Sequence, residues 1–206
     1  FCFSIVGVLV TYSRGALLGL AAVLAVLFLR SRTKIVAAAL LGAALAFGVW
    51  FLPQRWHERM ETITTYEEEA DLSALRRLDS WRVAVGLMTE SPLIGAGFRP
   101  FSRENYERLA PARPWPIVAH DAHSIYFQVL AEHGLLGIGL YLALSVSVLL
   151  SLQRLIRRSR EPDTVWIRHG ALMVQASLIA YLVNGAFFSV SYFDLFYHLV
   201  VITVLL

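Results

Sequence analysis

The chain has 206 residues, 57% hydrophobic and 16% charged, with a formal net charge of +3 at pH 7. Soluble domains average about 45–50% apolar and about 25% charged residues, so this composition points to a membrane protein and away from a soluble enzyme. The single cysteine, Cys2, excludes an internal disulfide and a cysteine-based metal site.

The chain opens inside an apolar run, lacks an initiator Met and a signal peptide, and ends in another apolar run. It reads as the C-terminal portion of a larger multi-pass protein. Arg14 divides the first apolar stretch into Phe1–Tyr12 and Gly15–Leu29. An arginine at the centre of one membrane helix costs roughly 2.5–3.5 kcal/mol on insertion scales. A helix hairpin with a tight Ser13-Arg14-Gly15 turn at the membrane surface avoids that cost, and glycine suits the turn.

Further spans are expected at Ile35–Leu52, Ile125–Leu152 and Val165–Phe188, with a truncated one at Leu195–Leu206, since a bilayer core takes about 20 apolar residues. Arg30, Arg32 and Lys34 form one basic loop, and Arg154, Arg157, Arg158, Arg160 and Arg168 another. Counting spans puts both loops on one side, which the positive-inside rule makes cytoplasmic. Arg14, residues 53–121 and Ser189–Asp194 then share the outer side.

Residues 53–121 are too long for a simple connection, which suggests a folded or functional insert. They hold nine Arg and eleven Asp or Glu, but no lysine. Guanidinium groups bind carboxylates and phosphates bidentately, although ordinary surface ion pairs account for most such arginines. Leu72, Leu75, Leu78, Trp81, Val85 and Met88 recur at helical spacing, so 72–89 is expected as an amphipathic helix on the membrane surface or the bundle. Asp71 or Ser73 would cap it, and Arg76, Asp79 and Arg82 would pair on its polar side. Arg77 borders the apolar stripe. Pro92–Phe98 forms a turn, 101–109 a short helix, and Pro111, Pro114 and Pro116 stop any helix before the histidines.

The chemistry gathers around His120-Asp121-Ala122-His123-Ser124-Ile125-Tyr126, where the polar segment re-enters an apolar one. His120 and His123 have a spacing suited to zinc, but a catalytic zinc wants three protein ligands and no third is near. No metal site is expected. His123 suits a general base, or equally a helix cap with Tyr126 as an interface anchor. Glu132 and His133 lie further along, where ionisable groups are functional candidates by default, with a structural contact favoured for Glu132. Arg14 would meet a lipid diphosphate or snorkel to headgroups. Asn184 is expected to hydrogen-bond between helices.

These residues resemble a known family, the O-antigen ligases and polymerases of bacterial envelopes. Thr11-Tyr12-Ser13-Arg14-Gly15-Ala16 resembles its T-x-S-R-G-A segment, and Arg77-Leu78-Asp79-Ser80-Trp81 its R-L-x-x-W element. Pro92–Phe98 is similar to its P-x-x-G-x-G-F turn, and His123-Ser124-Ile125-Tyr126 with Glu132 and Gly134 to its H-N-x-Y…E-x-G region. Ser124 replaces the usual Asn, as in the branch named O-glycosylation ligases that accompanies exosortase systems.

The resemblance implies an all-α polytopic transmembrane bundle with a long, partly helical periplasmic loop. Its parts are helices in 1–52, the loop in 53–121 and helices again in 122–206. It implies an inner-membrane glycosyltransferase that moves a glycan from polyprenyl (undecaprenyl) diphosphate to an acceptor hydroxyl on a glycolipid or protein. The implied enzyme uses no metal and no cofactor, and its partners are these substrates and membrane lipids, not nucleic acid. Arg14 and Arg77 would neutralise the diphosphate, His123 would take or orient the acceptor proton, and Trp81 and Tyr126 would line the substrate site. A glycan polymerase of the same family is the nearest alternative. A transporter or flippase without covalent chemistry, or a scaffolding subunit, is the more distant one.

Overall fold

The computed structural model describes residues 14–30, 33–35, 42, 68–111 and 118–206. The described residues are helical, with no strand among them: α1 (Arg14–Arg30), α2 (Glu68–Glu90), α3 (Arg103–Leu109), α4 (Ile125–Arg158), a 3-10 turn at Pro162–Thr164, α5 (Val165–Gly185) and α6 (Leu195–Leu205). The expected spans Phe1–Tyr12 and Ile35–Leu52 lie outside or almost outside these residues. The chain divides into two compact units, one of 1–71 with 176–184 and one of 72–175 with 185–206.

In the first unit, the basic loop after α1 serves the helix end. Lys34 Nζ donates to the carbonyls of Phe28 at 2.6 Å and Leu29 at 2.7 Å. A cation there satisfies carbonyls that lack helical partners and opposes the negative end of the helix dipole. Gly19 lets the Asn184 side chain come close, since a Cβ at Gly19 would sit 2.0 Å from Asn184 Nδ2. The expected interhelical role of Asn184 takes the form of a tight contact, and its Oδ1 is buried without a hydrogen-bond partner.

The second unit is built on α2, α3 and the start of α4. Val83, Ala84, Leu87, Phe101, Tyr106, Ala110, Ala122 and Ala131 form one buried cluster, with Leu109 and Phe127 packed against it. Gly86 allows α3 to approach, a Cβ there meeting the Leu109 side chain at 3.0 Å. Ser102 caps α3 by accepting from the Asn105 amide at 3.3 Å. Further along, Tyr141 of α4 stacks on Phe196 of α6 with centroids 4.9 Å apart.

The buried face of α2 differs from the expected one. Leu75, Leu78 and Val85 are exposed, whereas Asp79, Ser80, Val83, Ala84 and Leu87 are buried. Polar groups turn inward because they have partners: Asp79 Oδ1 accepts from Arg82 Nη1 at 3.3 Å, and Ser80 Oγ contacts Tyr106 Oη. Asp71 and Ser73 lie inside the helix, so neither caps it.

Among the described residues, α4 is the one helix long and apolar enough to cross a membrane; Leu18–Arg30 and Leu195–Leu205 are shorter apolar helices. The expected unbroken span from Ile125 is interrupted. Gly134 has φ 62° and ψ −159°, which no helix adopts and which essentially only glycine reaches. Residues 125–133 and 135–158 are therefore separate helical pieces. The second, at about 1.5 Å per residue, reaches about 36 Å, enough for a hydrocarbon core of about 30 Å.

The break is closed by the glycine turn. Ala96 N–H and Gly97 N–H donate to the carbonyls of Ala131 (2.8 Å) and Glu132 (3.0 Å), capping the first piece. Leu135 N–H and Leu136 N–H donate to the carbonyls of Pro92 (2.8 Å) and Leu93 (3.2 Å), which caps the second. Groups orphaned by the break thus find partners in one turn. The approach requires two glycines. A Cβ at Gly95 would lie 2.6 Å from the Gly134 and His133 nitrogens, and one at Gly134 would lie 2.6 Å from the Leu93 carbonyl.

Candidate functional site

The segment before α4 is held from three directions. Tyr106 Oη, in contact with Ser80 Oγ, donates to the His120 carbonyl at 3.0 Å. The Trp81 indole N–H donates to the Ala122 carbonyl at 2.9 Å, and its ring stacks on Phe127 at 4.7 Å with an 11° interplanar angle. The His123 N–H donates to Ser189 Oγ at 2.9 Å, 66 residues further along. With the His120 and Ala122 carbonyls and its own amide engaged, His123 adopts φ 47°, a left-handed conformation unusual for a residue with a Cβ.

The result is an exposed imidazole beside α2. Partial burial, followed by the positive charge of Arg77, lowers the His123 pKa from its usual 6.5, with Asp121 pulling the other way. His120 shows the same arrangement one step back. Burial lowers its pKa, then Arg76 and His123, again against Asp121. The two rings lie 6.3 Å apart, tilted by 42°. The charges of two successive arginines of α2 thus each act on one histidine. Arg76 Nε and His120 Nε2 are buried with no hydrogen-bond partner, an uncommon state for polar atoms that invites a ligand explanation. Near neutral pH both imidazoles are uncharged, able to accept a proton, while the guanidinium groups stay cationic.

Of the expected site residues, Arg77, Trp81, His123 and Tyr126 belong to this unit. Arg77, Trp81 and Tyr126 are half-buried, the last in the first turn of α4. Arg14 belongs to the other unit, and its side chain lies outside the described residues. Glu132 is buried in a contact network. Its Oε2 accepts from Tyr192 Oη and its Oε1 from Gln128 Nε2 at 3.4 Å; Tyr192 Oη also meets His133 Nε2 at 3.0 Å. Burial and the Glu132 hydrogen bond raise the Tyr192 pKa, so its hydroxyl stays a donor. The structural role favoured for Glu132 is served by a loop tyrosine.

From the sequence, Arg76 is expected in an ion pair and His120 figures only as a zinc ligand, while Tyr106 and Ser189 receive no role. Arg76 and His120 carried a signal, since Arg76 adjoins Arg77 and His120 lies three residues before His123. Tyr106 and Ser189 act through distant carbonyl and amide partners and left none.

Among the described residues, one helix is long and apolar enough to cross a membrane, and arginine and histidine side chains lie near its start. A family model described as O-antigen ligase matches residues 1–142. The chain belongs to the O-antigen ligase family and is an O-antigen ligase-like membrane enzyme. The match includes Arg14, Arg77, the Pro92–Phe98 turn, His123 and Gly134. No curated protein and no solved structure matches the chain.

Proposed function

We propose that this protein is a multi-pass inner-membrane glycosyltransferase whose 53–121 loop and His123 face the periplasm. It transfers a glycan from polyprenyl diphosphate to an acceptor hydroxyl without a metal ion. The acceptor oxygen attacks the anomeric carbon while the bond from that carbon to the diphosphate oxygen breaks. The acceptor proton passes to His123, and the polyprenyl diphosphate leaves carrying the bonding pair. Arg77, joined by Arg14, neutralises the charge that develops on the leaving group, the kind of electrostatic stabilisation that usually dominates catalysis. Arg76 extends the same cationic surface, beside the uncharged His120. Trp81 borders the site and holds the histidine segment, and Tyr126 lines it from α4.

The reading is supported by the lowered His123 pKa, which burial and then the Arg77 charge hold below its usual value. A fixed cation beside an uncharged imidazole supplies the two things the reaction lacks, charge for the leaving group and a base for a weak nucleophile. The test is product analysis with purified full-length protein, labelled lipid-linked glycan and candidate acceptors. A glycan on lipid A core or protein identifies a ligase, and a doubled lipid-linked glycan identifies the polymerase of the same family. Unchanged donor that has only crossed the bilayer contradicts an enzyme.

A further inference from the structure

The turn that caps the break in α4 has a second property that the transfer chemistry does not use. From Pro92 to Phe98 it carries no charged side chain, and its apolar groups point outward. Leu93 is 61% exposed, Ile94 71% and Phe98 73%. Isolated exposed leucines are ordinary, but a contiguous set is not. The capping bonds set these side chains beside particular residues of α4. Because Leu135 and Leu136 donate to the Pro92 and Leu93 carbonyls, Leu93 and Ile94 stand level with Leu135 and Leu136, themselves more than half exposed. One apolar surface therefore runs from the turn onto the first residues of 135–158.

That continuity identifies the occupant. If 135–158 crosses the bilayer, Leu135 and Leu136 lie at the outer edge of the hydrocarbon, and the turn locked to them lies at the same depth. Five backbone groups of the turn are already paired within the protein, which lowers the cost of a place where lipid supplies no hydrogen-bond partners. The turn amides of Gly95, Ala96 and Gly97 donate to Ser91, Ala131 and Glu132 carbonyls, and the carbonyls of Pro92 and Leu93 accept from α4. Nearby α3, by contrast, carries Arg103, Glu104, Glu107 and Arg108 on a solvated face.

We propose that the Leu93–Ile94–Phe98 turn is a membrane wedge, seated in the outer leaflet at the boundary of headgroups and acyl chains, which fixes the depth of the loop bearing Arg77. This rests on the membrane-spanning reading of α4, and the test separates the two. In a Cys2→Ser background of the full-length protein, Ile94→Cys, Phe98→Cys, Glu104→Cys and Val146→Cys are each labelled with an environment-sensitive fluorophore and reconstituted in phosphatidylcholine–phosphatidylglycerol vesicles. Lipids with nitroxides near the headgroup or deep in the chain, and aqueous iodide, serve as quenchers. The Ile94 and Phe98 probes are expected to lose most of their emission to shallow nitroxide and little to iodide. Val146 responds to the deep nitroxide and Glu104 to iodide. A Val146 probe insensitive to lipid nitroxide would overturn the spanning reading and the wedge together. With Val146 quenched, Ile94 and Phe98 probes open to iodide would overturn the wedge alone. Probes shielded from both quenchers would overturn it too, since protein would then cover the turn.

Discussion

The glycine turn and the histidine segment are both irregular backbone packed against α4, yet they are finished differently. At the turn, four backbone bonds run between 92–97 and 131–136, and two glycines approach to a distance that no side chain permits. Those four bonds close the break in α4. At the histidine segment the backbone is equally fixed, by Tyr106, Trp81 and Ser189, but side-chain nitrogens of Arg76 and His120 are left without partners. The turn spends its backbone groups on joining two helical pieces, whereas the fixed histidine segment leaves polar side-chain atoms within reach of a ligand.

The comparison breaks most easily at Gly134. Alanine there must leave a glycine-only conformation, worth about 1–3 kcal/mol, and its Cβ also strikes Leu93 at 2.6 Å. Gly134→Ala and Gly95→Ala are expected to abolish accumulation of folded protein, measured as monodisperse protein in detergent and its melting temperature. Gly97→Ala supplies the contrast. A Cβ there meets nothing within 4 Å, so it should cost only the left-handed penalty of roughly 1–2 kcal/mol.

At the histidine segment the frame and the chemistry can be separated. Trp81→Phe keeps a ring on Phe127 but removes the N–H donated to Ala122, leaving a carbonyl short of one bond worth about 0.5–1.5 kcal/mol. Glycan transfer should fall about tenfold or less, with melting lowered by a few degrees. Tyr106→Phe should behave alike through the His120 carbonyl. If neither variant changes transfer, the frame does not govern the site.

The smallest effect concerns pH. His123 in the folded protein has a pKa below 6.5, so its neutral form is present at pH 7 and the acid limb of transfer should lie below pH 6.5. Asp121 is the group that raises this pKa. Asp121→Asn should move the limb to still lower pH, read from the pH profile of transfer. The sign for stability follows from linkage: a depressed histidine pKa gives a contribution fully present above about pH 6.5 and lost as pH falls through the folded value.

Much of this arrangement was legible in the sequence because it is written in local pattern. The α3 helix, the turn at Pro92–Phe98 and the apolar stretch from Ile125 follow from periodicity and glycine–proline placement. The inward face of α2 did not, since the burial of Asp79 and Ser80 goes with contacts to Arg82 and, from another helix, Tyr106. The break at Gly134 was equally hidden, because a lone glycine in an apolar run is ordinary until another segment supplies its missing bonds. Arg77 and His123 were chosen from the family resemblance. Their juxtaposition depends on Trp81 reaching Ala122, 41 residues away, and on Ser189 reaching His123.

In the proposed mechanism, Arg77 and His123 carry out the transfer. The direct measurement is the rate of glycan transfer from labelled polyprenyl-diphosphate donor by full-length Arg77→Ala and His123→Ala proteins, at matched level and melting temperature. The account predicts that each loses about 100-fold or more, the range for removing a general base or a charge-stabilising group. Wild-type transfer by either folded variant would contradict it.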